Sequence, residues 1–125
     1  MAHAASNRPV VLIVEDEVLL RWQAVAIVED AGFDVVEAAN GDEAIAILEV
    51  RDDVHVLFTD IRMPGAIDGL RLAHMVRTRW PPVKILAASG QTTFRADDLP
   101  AGAKYLLKPY AFETLSRTIM ELAQA

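Results

Sequence analysis

The chain contains no cysteine. That excludes disulfide staples and thiolate metal sites, and it fits a reducing compartment such as the cytoplasm. No apolar run approaches the ~20 residues needed to cross a bilayer. The opening stretch Met1 to Pro9 is polar and small-residue in character with no apolar h-region, so it is not a secretory signal. Positive charge is in deficit: 12 Lys and Arg against 18 Asp and Glu leave a net charge of −6. Nucleic acid and anionic membrane surfaces both ask for a basic face, so neither is an expected partner. His3, His55 and His74 show no metal-ligand spacing. Gly41 and Gly69 belong to no G-x-G-x-x-G or P-loop pattern, which leaves nucleotide binding unsupported.

What is present suits one globular domain. The chain has 125 residues, 53% hydrophobic and 24% charged, enough for a single buried core and too well populated with apolar residues for disorder. Residues 1–9 are expected to be a flexible lead-in and residues 10–125 the folded unit. Val10-Val11-Leu12-Ile13-Val14 is a continuous apolar run, the pattern of a parallel strand buried on both faces. Glu17 to Ala31 reads as a helix stopped by Gly32 at the C′ position. Phe33 to Ala38 and Val54 to Thr59 are predicted strands. Asp42 to Arg51 and Leu70 to Trp80 are predicted helices, the latter ended by Pro81-Pro82. Lys84 to Ala88 and a short Lys104 to Leu107 complete the strands, and Ala111 to Ala123 closes the chain as a helix. Strands alternating with helices imply right-handed crossovers and a parallel sheet covered on both sides. Between Gln91 and Ala103, Gly90, Pro100 and Gly102 leave room for at most a short or irregular helix, Thr93 to Leu99 being the best candidate.

In an open parallel sheet the functional crevice lies beyond the carboxyl ends of the strands. The first strand ends at Glu15-Asp16, the third at Asp60, the fourth at Ser89 and the fifth at Lys108-Pro109. Each has a plainer reading: helix-capping acids, a strand-end turn, a Ser-Gly turn, an exposed edge lysine. Together those readings require four strand ends to collect such groups at one edge by chance. Clustered carboxylates raise one another's pKa unless a cation joins them, and magnesium suits oxygen-only ligands. Asp16 and Asp60 are the expected direct ligands, with Glu15 direct or through water and a loop carbonyl completing the set. An aspartate can take up a phosphoryl group as a nucleophile. The transfer needs in-line positioning and neutralised oxygens, which magnesium, Lys108 and the Ser89 hydroxyl supply around Asp60.

Val14-Glu15-Asp16-Glu17, Thr59-Asp60-Ile61-Arg62-Met63-Pro64-Gly65, Ser89-Gly90 and Lys108-Pro109 resemble, in that order and from Val10 to Ala123, the receiver domain of two-component response regulators. The resemblance implies a flavodoxin-like five-stranded parallel sheet of order 2-1-3-4-5 with helices on both faces. It implies that Asp60 accepts phosphate from a phosphohistidine on a histidine kinase or histidine phosphotransfer protein. Glu15, Asp16, Asp60 and the Arg62 backbone carbonyl would bind Mg2+, and Ser89 and Lys108 would touch the phosphoryl group. Tyr105 would be the switch aromatic, and the Lys108–Pro109 bond would be cis. The Asp60–Gly69 loop is one residue longer than the common family form. The stretch from Ser89 to Lys108 is about three residues shorter.

Val18, Leu19, Trp22 and Val25 form a second apolar stripe on the first helix, opposite Leu20, Ala24, Ile27, Val28 and Ala31. Either the N-terminal tail covers it or it is a docking face; in the family this helix and the loop after the fifth strand dock on the phosphodonor. The expected function is a phosphorylation-switched signalling module acting on a downstream partner in two-component signalling or a phosphorelay, standing alone or cut from a longer protein, and not a turnover enzyme. An aspartyl phosphatase would carry a second Asp two residues after its nucleophile, directly after the first strand, where this chain reads Glu15-Asp16-Glu17. A flavin or nucleotide binder would carry a Gly- or Ser/Thr-rich loop at that position. A passive scaffold would not need the complete acid, hydroxyl and lysine set.

Overall fold

All residues of β1 (Val10–Val14) are buried, and they divide by the two-residue period of a strand. Val10, Leu12 and Val14 enter one hydrophobic core while Val11 and Ile13 enter another. One sheet thus separates two cores. The computed structural model describes residues 8–90 and 95–125. Its five strands, β1, β2 (Asp34–Ala38), β3 (Val54–Asp60), β4 (Lys84–Ser89) and β5 (Lys104–Leu107), lie in the order β2-β1-β3-β4-β5, and every pairing is parallel.

Helices α1 (Val18–Asp30) and α4 (Phe112–Gln124) cover one face with Ala24, Val28, Leu115, Ile119 and Leu122. Helices α2 (Gly41–Val50) and α3 (Gly69–Arg79) cover the other with Ala44, Leu48, Leu72, Ala73 and Val76. Local chemistry sets their ends. Gly32, at φ 100°, follows α1 and donates its N–H to the Glu29 carbonyl at 3.0 Å, the left-handed stop that glycine permits. Asn40 caps α2 by accepting from the Glu43 N–H, and the Glu43 carboxylate accepts in return from the Ala39 N–H. Asp68 caps α3 through the Arg71 N–H. Val10 and Val11 pair with Val54 and Val56, so His55 is an extra residue in β3. Its Nδ1 accepts the Val10 N–H at 3.2 Å, which gives this histidine a structural task.

Between β4 and β5 the described residues hold one 3-10 turn, Ala96–Asp98, with Leu99 and Pro100 buried behind it and Gly102 at φ 84°. This agrees with the expected short, irregular segment; Thr93 and Phe94 of the candidate helix lie outside the described residues. The turn is tied to α3 by a 2.7 Å hydrogen bond between His74 Nε2 and the Asp98 carbonyl. The first-helix stripes differ from expectation at two positions. Val25 is half-buried and packs against the α1/α4 core, whereas Leu20 is 37% exposed. The first turn of α1 stands at the carboxyl edge of the sheet, so Leu20 lines a groove there, while Val25 lies one turn further along, over the core. No described helix is long and apolar enough to cross a membrane.

Candidate functional site

Because β1 and β3 are neighbours, their carboxyl ends bring Glu15, Asp16 and Asp60 together. One carboxylate oxygen from each lies within 4.8 Å of the others. Glu15 extends the β1 ladder, its N–H donating to the Ala38 carbonyl at 3.1 Å. Its side chain turns back so that Oε2 accepts the Glu17 N–H at 3.1 Å. The first acids therefore do not cap α1 with their side chains: Glu17 occupies the N-cap position without a side-chain cap bond. Asp60 is fixed by its neighbours, with Ile61 N–H on the Ala88 carbonyl and Gly69 N–H on the Ile61 carbonyl, at 2.8 and 2.9 Å.

Lys108 follows the edge strand β5, two strands away from Asp60. Its main-chain N–H donates to the Ser89 carbonyl at 2.8 Å, and its side chain crosses the end of β4. Nζ lies 3.1 Å from Asp60 Oδ2 and 3.2 Å from Glu15 Oε1. Burial of Glu15, 7% exposed, raises its carboxyl pKa above the usual value. The Glu17 N–H and Lys108 pull it down and Asp60 pushes it up, with burial prevailing. For Lys108 burial acts downward, but Asp60 and Glu15 together outweigh it and the ammonium is held more firmly than usual. Both values are raised, with opposite consequences for charge: the Glu15 carboxylate is disfavoured by burial and by Asp60, while the Lys108 ammonium is favoured by its two carboxylate partners.

Ser89 is buried at the end of β4, joined to Lys108 through the main chain. Tyr105 is half-buried and packs against the α2/α3 core. The Lys108–Pro109 peptide is cis. Arg62 is exposed and, with Met63, Pro64 and Asp68, lines an open groove beside Asp60. Val18, Leu19 and Trp22 are 46%, 69% and 59% exposed. Next to them a groove of about 420 Å³ runs between α1 and the β5–α4 loop, lined by Leu20, Gln23, Ile27, Pro109 and Tyr110, with Glu15 and Lys108 at one end.

Three contributors escaped sequence reasoning. A Cβ on Gly69 would collide with the Asp60 carbonyl oxygen, so the glycine lets α3 start against the backbone of β3; the Asp68-Gly69 pair beside a helix start was its only trace. Tyr110 packs edge-on against Phe58 at 6.0 Å, and burial raises its phenol pKa, opposed by Lys108 and assisted by Glu15 and Asp60. Arg21 donates from Nη1 to the Glu15 carbonyl at 2.9 Å and from Nε to Glu37 Oε1 at 3.0 Å. Both long-range pairings leave no local sequence pattern.

A parallel sheet thus gathers at its carboxyl edge three carboxylates whose oxygens suit a hard cation and an ammonium beside them. The chain matches the response regulator receiver domain over residues 11–120 and belongs to that family, the phosphorylation-switched modules of two-component signalling. It is 34% identical to chemotaxis protein CheY of Listeria monocytogenes, covering 90% of this chain and 97% of CheY. It is 36% identical to sensor kinase CckA of Brucella abortus over 95% of this chain. The chain spans less than half the length of several relatives it matches, 13% of that kinase among them. Among solved structures it resembles response regulator TrrA of Thermotoga maritima in complex with Mg2+-BeF. The TM-score there is 0.82 and the identity 27%, covering 90% of this chain and 97% of TrrA.

Proposed function

We propose that Asp60 is the phosphoryl acceptor of this receiver domain, that its donor is a phosphohistidine on a histidine kinase or phosphotransfer protein, and that the cytoplasm is its place of work. The observation that carries the reading is the joint placement of Glu15, Asp16 and Asp60 within 4.8 Å with Lys108 Nζ at 3.1 Å from Asp60. An all-oxygen donor set of this charge fits Mg2+, and the likeness to TrrA with its Mg2+-BeF supports it. Glu15, Asp16, Asp60 and the Arg62 carbonyl are the proposed holders. When bound, the ion neutralises charge on the transferring oxygens.

Asp60 supplies the attacking oxygen: a P–O bond forms there as the donor's P–N bond breaks, and the freed imidazole is the leaving group. Lys108 is already charged and close enough to shift from Asp60 onto a phosphoryl oxygen. Ser89 offers a hydroxyl from the end of β4, and Tyr105 is the aromatic proposed to answer that shift. Val18, Leu19 and Trp22, beside the α1 groove, are the proposed docking surface for the donor. The consequence is a change of conformation read by a downstream protein, with no turnover of an external substrate. Acetyl phosphate with MgCl2 tests the core of this reading. Intact mass should rise by one phosphoryl group in the wild type, and neither in Asp60→Asn nor in EDTA. Equal labelling of Asp60→Asn would refute the assignment.

A further inference from the structure

We propose that Arg21 is a positioning residue for the metal-binding turn, an inference that rests on the magnesium reading above. Arg21 lies on α1 with its side chain 16% exposed. Its planar fork bridges two partners from different strands: the Glu15 carbonyl at 2.9 Å and Glu37 Oε1, on β2, at 3.0 Å. Both peptide units that flank Glu15 are thereby gripped, the first through the Glu15 N–H on the Ala38 carbonyl and the second through the Glu15 carbonyl on the guanidinium. That carbonyl belongs to the peptide plane joining Glu15 to Asp16, so fixing it fixes the direction in which Asp16 leaves the strand. Glu37 neutralises the guanidinium and aims it.

Two effects of Arg21 on a bound cation have opposite signs, which makes the inference testable. As a positive charge near the acids, Arg21 repels Mg2+, and its removal alone would tighten binding. As the holder of the turn, it keeps Glu15 and Asp16 aimed at one point, and its removal weakens binding. Partners that orient metal ligands typically change affinity about 10-fold or more, while the repulsion is offset by Glu37, whose carboxylate pairs with the guanidinium at 3.0 Å. Position therefore outweighs charge.

The experiment is calorimetric titration of the full chain with MgCl2 alone, for wild type, Arg21→Gln and Arg21→Lys, with thermal melts in EDTA confirming that each variant is folded. Arg21→Gln should bind Mg2+ about 10-fold more weakly. Arg21→Lys keeps the charge but cannot span both partners, so it too should bind more weakly than wild type. Both variants equal to wild type, or Arg21→Gln binding more tightly, would overturn the inference while leaving the magnesium site standing. A wild-type chain that fails to bind Mg2+ would overturn both.

Discussion

Gly69 and Asp60 meet main chain to main chain: a Cβ on the glycine would overlap the Asp60 carbonyl oxygen, and the next residue, Ile61, accepts the Gly69 N–H. The start of α3 is therefore packed directly on the end of β3. Gly69→Ala has to push the two backbones apart, and we expect a loss of about 3 kcal/mol in denaturant unfolding, the upper range of overpacking, with a matching fall in acetyl phosphate labelling. Gly32→Ala is the control. It stands in open space at φ 100°, so it should lose ~1–2 kcal/mol from its left-handed backbone and keep normal labelling. Unchanged labelling in a folded Gly69→Ala would contradict the coupling.

Lys108→Ala separates two roles of the ammonium. It withdraws a cation from between Glu15 and Asp60, so Mg2+ should bind more tightly. Labelling by acetyl phosphate should nonetheless slow about 100-fold, the cost of losing one charged contact to the transferring oxygens. Calorimetry and labelling rates measured on the same sample decide it; a rate equal to wild type would remove Lys108 from the mechanism.

Acid pH gives a signed test. Glu15 titrates above its ordinary 4.5 chiefly because it is buried, so folding favours its protonated form. That stabilisation is fully present below about pH 4.5 and is lost as pH rises through the higher folded value. Mg2+ requires the ionised carboxylate, so the melting-temperature gain on adding MgCl2 should grow over the same window. Glu15→Gln should flatten the metal-free pH dependence there. A magnesium gain that is constant from acid to neutral pH would argue against Glu15 as a ligand.

The alkaline side works in one direction. Lys108 and Tyr110 both titrate above their ordinary values of 10.5 and 10.0, so each folded-state proton is held more tightly than in the unfolded chain. Both contributions are present below those pH values and are lost as pH rises through the folded ones. Tyr110→Phe should lessen the alkaline fall in melting temperature.

On α1, Trp22→Glu and Val25→Glu should part company. Trp22 is 59% exposed, so its replacement should spare folding and acetyl phosphate labelling while reducing transfer from a phosphohistidine donor. Val25 is half-buried and packs against the α1/α4 core, so a charge there should lower the melting temperature first. Equal loss with both phosphodonors in Trp22→Glu would mark a folding defect.

The strands were readable because each carries its own signal: five buried apolar residues in β1, or acids and a lysine where a strand stops. Caps and breakers placed the helices to within a residue or two, and among the described residues before β5 the segment marked by Gly90, Pro100 and Gly102 holds only a 3-10 turn. The two misread faces of α1 share one cause. Apolar residues occur all round that helix, so its periodicity could not say whether Leu20 or Val25 looks inward. Gly69, Arg21 and Tyr110 were invisible for a different reason, since their partners are brought to them by the order in which strands lie side by side.

Glu15 is the point at which both margins of the sheet are fastened. From β5 comes the Lys108 ammonium, which holds its carboxylate; from β2 comes Glu37, which through Arg21 holds its carbonyl. An open sheet has free rims, and here each rim is leashed by a cation to the strand at the centre. The two leashes differ in kind: one ends on the Glu15 main chain, while the other grips its carboxylate and ends also on Asp60. The domain thus has a built-in left and right: Asp60 touches the cation from the β5 rim at 3.1 Å, while the β2 rim is tied in through the Glu15 main chain.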